Sequence, residues 1–389
     1  MSLTELDNTY VAHTYKRFPI EIVSGKGSVA VGSDGKEYID LGSGIGVTSF
    51  GFSDDVWKSA VIAQLDKVQH TSNLYYTEPG ALLAKKLCER TGMKRVFFSN
   101  SGAEANECAI KIGRKYAAEK KGADHFTVIT LENSFHGRTL TTLAATGQEI
   151  FHKLFNPLTP GFVSVKPNDL DLIKKTAEET KAAAIMIECV QGEGGVVPLN
   201  ADYVQGVAKF AADNDIILIV DEVQTGNGRT GKLYSYMNFG ISPDVVSTAK
   251  GLAGGLPIGA TLMSDKVKDV LSYGEHGSTF GANPVSCAAA ISVLDRIDDE
   301  LLAEVNEKSA YIFSAFDGAK GVESVAGMGL MIGIKTVRPA AQVVAECIGE
   351  GVLCLTAKDK VRLLPALNIP FEVLKKSIDI ILKVCAKEE

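Results

Sequence analysis

The chain has 389 residues, and at roughly 150 residues per domain this length predicts two or three domains. Hydrophobic residues make up 46% and charged residues 22%, a composition typical of a globular chain with a large core. The formal net charge is −7 and neither sign forms a long block. The composition therefore argues against a nucleic-acid-binding protein, and individually placed arginines would have to hold any anionic substrate.

Seven cysteines are scattered along the chain without a CxxC pair, and the six histidines show no metal-ligand spacing. This pattern predicts free thiols in a reducing cytoplasm and no metal site. No apolar run reaches the length of a membrane span, and the polar N-terminus does not look like a signal peptide. We therefore expect a cytoplasmic protein with no membrane partner.

Residues 1–50 contain three short strand patterns at 20–23, 29–31 and 38–41, which predict a small antiparallel meander. Helical periodicity follows around Val56 and again around Leu82.

From residue 96 to residue 246, strand and helix patterns alternate. Strands are predicted at 96–98, 126–129, 184–187 and 216–220, with helices between them such as 102–120 and 202–213. Such alternation predicts an α/β fold with a mostly parallel sheet covered by helices on both faces.

The pattern changes after about residue 282. Long helical patterns, one strand over 327–334 and a terminal helix from about Glu372 predict a second, smaller α+β domain. We therefore divide the chain into an N-terminal segment, 1–50, that contributes to the small domain, a large domain, 51–281, and a C-terminal small domain, 282–389.

Two strand ends in the large domain carry opposite charges. An apolar strand over 216–220 leads to Asp221, and a second over 244–249 leads to Lys250, which precedes a nearly uncharged glycine-rich loop. Groups just past the carboxyl ends of strands line the ligand crevice of an open α/β sheet. We expect both side chains to face one pocket and to hold the two ends of one cofactor.

Lys250 carries the strongest chemical signal. Lysines are normally exposed, and desolvation would lower the pKa of this one and make it a nucleophilic amine suited to Schiff-base chemistry. Asp221 would then face a pyridinium nitrogen, the arrangement found in pyridoxal phosphate (PLP) enzymes. The alternative is a buried ion pair with a structural role only.

Other segments carry weaker signals. Ser101 and Glu104 fit a helix-capping box, and the helix N-terminus at Gly102 favours a phosphate; a well-capped helix with no ligand is the alternative. Phe135 could stack on a flat cofactor and Arg138 could grip a carboxylate, unless they are an ordinary core phenylalanine and a surface arginine. Glu193 lies among glycines and is a mobile loop carboxylate or simply a solvated one.

Two later segments add to this set. Ser278 and Thr279 could supply hydroxyl donors to a phosphate, and Arg362 lies within an apolar run, where an arginine usually has a carboxylate partner.

The rival signal is the G-x-G-x-x-G pattern over 226–231, which favours a nicotinamide-dependent oxidoreductase. Asp244 follows the first glycine by 18 residues (244 − 226). However, residues 221–225 separate the strand from the glycines, and no helix pattern follows them, so the dinucleotide context is missing.

Taken together, the motifs resemble those of the class III PLP-dependent aminotransferases of fold type I. The matching stretches follow the family's order: 70–74, 100–107, 135–139, 221–226, 249–252, 277–281 and 361–365. Two stretches depart from the family's usual pattern, at 51–55 and at Ala282, and neither departure removes a catalytic role.

The resemblance implies a role for each candidate residue. Lys250 would bind PLP and move the substrate proton, Asp221 would hold the protonated ring nitrogen, and Phe135 would stack on the ring. Further cofactor contacts are implied for Ser101, Gly102, Ala103, Glu222, Val223, Gln224 and Thr279, the last reaching the neighbouring subunit's site in a homodimer.

For the substrate, the resemblance implies that Arg138 binds the α-carboxylate of the amino acid. Arg362 would bind the distal carboxylate of 2-oxoglutarate, with Glu193 as its reversible partner, and Ser278 would lie beside the substrate. The implied reaction moves the δ-amino group of N2-acetylornithine to 2-oxoglutarate, within arginine biosynthesis. Ornithine, succinylornithine, succinyldiaminopimelate and 4-aminobutyrate remain alternative amino donors.

Overall fold

The computed structural model describes residues 1–387. Strands β1–β17 span Ile22–Lys26, Val29–Gly32, Glu37–Asp40, Arg95–Ser99, Thr127–Leu131, Phe162–Val165, Ala182–Ile187, Val190–Gln191, Val197–Pro198, Ile217–Asp221, Val245–Thr248, Gly259–Met263, Val322–Met328, Met331–Thr336, Val352–Leu353, Leu355–Ala357 and Lys360–Leu363. Helices α1–α12 span Leu3–Tyr10, Ser43–Gly46, Asp55–Leu65, Glu78–Thr91, Gly102–Lys121, Leu140–Ala145, Leu170–Glu179, Ala201–Asp213, Pro284–Leu294, Asp299–Phe316, Ala340–Gly349 and Phe371–Cys385.

A seven-stranded sheet in the order β4-β12-β11-β10-β7-β5-β6 forms the centre of the molecule. Strand β12 pairs antiparallel with both of its neighbours, and the other pairings in this sheet are parallel. The predicted α/β class with a mostly parallel sheet is thus confirmed.

Strand β10 shows why the sheet is covered on both faces. Its residues are all buried, and successive side chains point to opposite faces. Ile217 and Ile219 pack in one apolar cluster with Ile112 of helix α5. Leu218 and Val220 pack in another cluster, which includes side chains of α8. Because both faces are buried, the strand reads as a continuous apolar run.

Besides the central sheet, the described chain has two four-stranded sheets and the two-stranded pair β8-β9. The predicted N-terminal meander, β1-β2-β3, is present and is completed by β15, which pairs parallel with β3. The second sheet has the order β13-β14-β17-β16. A strand from residue 352 thus completes the N-terminal sheet, while the predicted domain boundaries at 50 and 281 stay predictions.

The single strand predicted over 327–334 is wrong, because this segment is a tight hairpin between β13 and β14. Gly329 lies in the turn with φ +56, and a Cβ on it would lie 2.4 Å from the carbonyl oxygen of Arg229. Only glycine fits this close approach. Because glycine is not a polar turn residue, the sequence around it continues to resemble one apolar strand. Helix α1 was not predicted at all; it has no buried residue.

Within residues 1–387, we find no helix that combines the length and the apolar character needed to cross a bilayer.

Candidate active site

Asp221 and Lys250 lie at the carboxyl ends of neighbouring parallel strands. Asp221 is the last residue of β10 and aligns with Ser247 of β11, three residues before Lys250. Both line one cavity of about 450 Å³. Lys250 has a left-handed backbone with φ +44, an uncommon conformation for a residue with a side chain. The structure therefore brings the predicted acid and amine into one pocket.

The loop that carries Lys250 is held on both sides. Before it, Asn227 donates to the carbonyl oxygen of Ala249 at 3.1 Å. After it, the indole of Trp57 donates to the carbonyl oxygen of Ala253 at 2.7 Å. These contacts fix the backbone while the amine itself stays available: among residues 1–387, no hydrogen bond or ion pair of the Lys250 side chain is found.

Desolvation in the cavity lowers the pKa of Lys250. The carboxylates of Glu193 and Asp221 act in the opposite direction, while the guanidinium of Arg362 also lowers this pKa. A lowered pKa raises the fraction of neutral amine near pH 7, which is the nucleophilic form.

The Asp221 carboxylate is oriented by three donors. Its Oδ2 atom accepts from Asn106 at 2.8 Å and is 2.8 Å from Nδ1 of His136, and its Oδ1 atom accepts from the Val223 backbone at 2.9 Å. The His136 side chain is fully buried, and although desolvation opposes protonation, the hydrogen bond to Asp221 raises the pKa of this imidazole. The site thus stabilises a negative charge facing the cavity.

Sequence reasoning missed both side-chain donors to Asp221. His136 is adjacent to the predicted Phe135, and Asn106 lies in the predicted helix after Gly102. A polar residue on the buried face of that helix was the available signal, because buried amides need partners.

The first turn of α5 also lines the cavity. Ser101 caps the helix by accepting from the Glu104 backbone at 3.2 Å. The predicted capping box is only half formed, because the Glu104 carboxylate accepts from the Asn100 backbone at 2.9 Å and from the Ser101 hydroxyl at 3.0 Å, and not from the Ser101 backbone. No acceptor for the backbone N–H groups of Gly102 and Ala103 is found within the described chain, so this helix end can bind a phosphate.

Gly102 is also required by packing. A Cβ on this residue would lie 2.6 Å from Cγ1 of Val223, which lines the same cavity. The glycine therefore allows the helix to approach the loop that follows Asp221.

Phe135 and Arg138 lie on the next loop, after β5. The backbone N–H of Phe135 donates to Glu188 at 3.0 Å, and its ring lines the cavity. The Arg138 guanidinium is exposed at the cavity mouth and lies 4.6 Å from the ring centroid of Phe151. An aromatic face restrains the guanidinium without neutralising it, so Arg138 can bind a carboxylate.

Arg362, on β17, pairs with the predicted Glu193. Its Nη1 atom donates to Glu193 at 2.6 Å and to the side-chain oxygen of Gln224 at 3.2 Å. Gln224 in turn donates to Glu193 at 3.1 Å. Desolvation acts to raise the pKa of Glu193, but the charge and the hydrogen bond of Arg362 together hold it below its usual value. Within residues 1–387, Nε of Arg362 is buried without an acceptor, so the guanidinium keeps an unused donor.

Four predicted residues lie outside the cavity lining: Glu222, Ser278, Thr279 and Arg362. Arg362 contacts the lining residues Glu193 and Gln224. Glu222 is buried behind the lining, where its carboxylate accepts from Ser235, the Tyr236 backbone and Thr225. It therefore holds the loop in place, and the expected cofactor contact is not supported. Ser278 accepts from the cavity residue Asn100 at 3.1 Å, and Thr279 is exposed.

The dinucleotide alternative has no structural support. Residues 226–231 are followed by a short 3-10 turn, Ser235–Asn238, and not by the helix that such a site needs. The Asp244 carboxylate accepts from the Leu218 backbone at 3.0 Å, so it is committed within the fold.

Comparisons with known proteins agree with this geometry. The family model "Aminotransferase class-III" matches residues 10–385. The chain belongs to the class III aminotransferases. It is 50% identical to the acetylornithine aminotransferase of Haemophilus ducreyi, over 99% of this chain and 98% of that protein. It is 42% identical to the acetylornithine aminotransferase of Methanocaldococcus jannaschii, over 96% and 94%.

Two solved structures are also similar. The ornithine aminotransferase of Toxoplasma gondii aligns with a TM-score of 0.94 and 30% identity, covering 98% of this chain and 93% of that one. The N-acetylornithine aminotransferase of Stenotrophomonas maltophilia aligns with a TM-score of 0.86 and 32% identity, covering 99% and 98%.

Class III aminotransferases depend on PLP, and the cavity of this enzyme fits that cofactor. The unpaired N–H groups of Gly102 and Ala103 would hold its phosphate, Asp221 its ring nitrogen and Lys250 its aldehyde carbon. When bound, PLP supplies an electron sink for the carbanion formed at the substrate carbon. We expect the chain's own residues to orient the ring, to bind the substrate carboxylates and, through Lys250, to carry the proton.

Glu188 provides a test of the buried electrostatics. It is 5% exposed, and desolvation raises its pKa to about 7 although His136 acts in the opposite direction. Between about pH 5 and 7 the folded enzyme would therefore hold a proton that the unfolded chain has released, so stability falls as pH rises through this window. We expect the midpoint of thermal unfolding of the wild type to fall relative to that of Glu188→Gln as pH rises from 5 to 8.

The matched control is Glu89→Gln, which alters an exposed carboxylate paired with Lys85. Its midpoint should follow that of the wild type over the same pH range. A constant difference between wild type and Glu188→Gln at every pH would contradict the prediction.

Proposed function

We propose that this enzyme transfers the δ-amino group of N2-acetylornithine to 2-oxoglutarate by a ping-pong route. The products are N-acetylglutamate 5-semialdehyde and glutamate, which places the reaction in arginine biosynthesis. The names of the relatives support this choice. The structural observation that carries it is a pair of arginines: Arg362 is buried against the cavity residue Glu193 and paired with it, whereas Arg138 is exposed at the cavity mouth.

The positions of the two arginines suggest which carboxylate each one binds. Arg362 lies close enough to Lys250 to lower the pKa of the amine. In 2-oxoglutarate the reacting carbon is bonded to the α-carboxylate, so Arg362 suits that group and Arg138 suits the distal one. This reverses the assignment of Arg362 made from the sequence.

N2-acetylornithine reacts at the other end of its chain. Its one carboxylate is separated from the reacting δ-carbon and would reach Arg138 at the mouth. No charged group of this substrate then faces Arg362, and the positive charge of Arg362 is neutralised by Glu193. The same cavity can therefore accept an amine with one carboxylate and then a dicarboxylate.

The proposal includes a cytoplasmic homodimer with shared sites. Three consecutive large side chains, Leu74, Tyr75 and Tyr76, are 87%, 68% and 107% exposed. A cluster of exposed apolar side chains is typical of an interaction surface. The preceding residue, Asn73, donates a hydrogen bond to the carbonyl oxygen of Ser278 at 2.9 Å. This cluster therefore lies close to the exposed Thr279. A second copy on this surface would receive Thr279 beside its phosphate site.

A substrate panel tests the proposed amino donor. Free ornithine carries an α-ammonium beside the carboxylate that Arg138 would bind, so it brings a second cation toward the guanidinium. We expect kcat/KM for N2-acetylornithine to exceed that for ornithine by at least about tenfold, the ratio that 1.4 kcal/mol of discrimination produces. Steady-state assays with 2-oxoglutarate as acceptor measure both values.

Ornithine is the second candidate, because the Toxoplasma gondii enzyme aligns with a TM-score of 0.94. A kcat/KM for ornithine equal to or above that for N2-acetylornithine would replace the first choice with this one. Succinylornithine, succinyldiaminopimelate and 4-aminobutyrate complete the panel.

A further inference from the structure

A second cavity of about 1030 Å³ adjoins the active site. Glu193 lines both cavities, so its side chain lies at the boundary between them. The lining of the second cavity also includes Asn133, Phe151 and Lys358. A displaced Glu193 carboxylate therefore has a neighbouring space to enter.

The loop around Glu193 can allow such a displacement. Glycines flank it at 192, 194 and 195, and Gly195 has φ +106. The Glu193 side chain is 30% exposed, whereas that of Arg362 is 3% exposed. Because the arginine is fixed in the core and the carboxylate is not, Glu193 is the partner that must move when a substrate carboxylate binds Arg362.

Lys358 lines the second cavity beside this loop. A Cβ placed on Gly195 would lie 4.0 Å from Cβ and Cδ of Lys358. The Lys358 ammonium donates to the side-chain oxygen of Asn133, a neutral partner that leaves its charge uncompensated. No ion pair of Lys358 is found in the described part of the chain.

Other ionisable groups that line the second cavity cannot replace Lys358. Glu132 and Glu149 carry the same charge as Glu193. The Nε2 atom of His152 is already engaged, at 2.9 Å from the carbonyl oxygen of Leu143 and at 2.8 Å from that of Thr146.

We propose that Lys358 is a positioning residue that receives the Glu193 carboxylate when 2-oxoglutarate displaces it from Arg362. Glu193 thus has two cationic partners, one for each half-reaction. With the amino donor bound, Glu193 stays on Arg362 and Lys358 remains on Asn133. With the dicarboxylate bound, the pair with Lys358 offsets part of the cost of breaking the pair with Arg362. This inference rests on the proposed function.

Single-turnover kinetics of the two half-reactions test the proposal on the cofactor-loaded enzyme. Lys358→Met should weaken the apparent affinity for 2-oxoglutarate about threefold, the effect of losing a partly exposed ion pair. Lys358→Glu should weaken it about tenfold because it repels Glu193, and Lys358→Arg should restore it. The half-reaction with N2-acetylornithine should be unchanged in all three variants. Calorimetric titration of glutarate, an unreactive dicarboxylate, should show the same order.

A double-mutant cycle identifies the partner of Lys358. In a Glu193→Gln background, Lys358→Met should no longer change the affinity for 2-oxoglutarate, because the charge it receives is gone. The matched control is Lys335→Met on the neighbouring strand β14, whose ammonium pairs with Asp359 outside the cavity; it should leave both half-reactions unchanged.

Two outcomes overturn the inference alone: the same threefold loss in the Glu193→Gln background, or equal losses in both half-reactions. A wild-type enzyme that reacts with N2-acetylornithine but not with 2-oxoglutarate would overturn the proposed function itself, and the inference with it.

Discussion

Replacement of Lys250 by alanine should lower turnover by at least about a thousandfold. The amine is expected to serve both as the attachment point of PLP and as the proton carrier, and proton transfer alone contributes about 10²- to 10⁴-fold in rate. The reason is local: Lys250 is the amine in the cavity, and desolvation lowers its pKa. Steady-state assays with N2-acetylornithine and 2-oxoglutarate measure the loss.

A second measurement separates loss of chemistry from loss of folding. Borohydride reduction followed by peptide mass spectrometry should place the cofactor on the peptide that contains Lys250 in the wild type, and on no peptide of Lys250→Ala. Lys232→Ala, which changes an exposed lysine of the same region, should keep both the label and the activity. Full activity in Lys250→Ala, or a label on another lysine of the wild type, would refute the assignment.

The sequence predicted the strand ends of the site because their signals are local. Uninterrupted apolar runs before Asp221 and Lys250 identify buried parallel strands, and the edge where such strands end is where ligands bind. The structure places both residues on one cavity as expected. The Ser101 cap was also predictable, because a serine followed three residues later by glutamate is a local pattern.

Features that depend on distant contacts were not predictable in this way. His136 and Asn106 converge on one oxygen of Asp221 from separate elements, and nothing in their neighbouring residues specifies that meeting. The Glu104 carboxylate accepts a hydrogen bond from the Asn100 backbone. The Asn100 side chain donates to Ser278, which lies 178 residues further along the chain. Periodicity likewise missed the turn at Gly329, since the apolar pattern continues through it.

The Asp221→Asn substitution should lower kcat by about a thousandfold while leaving the fold intact. A carboxylate at this position favours protonation of the PLP ring nitrogen, and a neutral amide does not, so the electron sink weakens. Asparagine has nearly the same shape, and its one oxygen can still accept hydrogen bonds from Asn106 and His136, while the bond from the Val223 backbone is lost. The two side chains therefore differ in charge and in one hydrogen bond but not in volume, and kcat is the quantity that should change most.

His136 supplies an independent readout, because the hydrogen bond that it donates to Asp221 raises the pKa of its imidazole. That pKa should fall in Asp221→Asn, and an NMR titration of the histidines measures it without reference to activity.

Asp244→Asn is the matched control. The wild-type Asp244 carboxylate accepts from the Leu218 backbone and does not line the cavity, so this change should lower the unfolding temperature while kcat stays near that of the wild type. The opposing outcome is that Asp221→Asn matches Asp244→Asn in both its fall in unfolding temperature and its small change in kcat. That result would give Asp221 a structural role only. A fall in kcat much larger than the accompanying loss of stability explains would instead place the charge of Asp221 in the reaction.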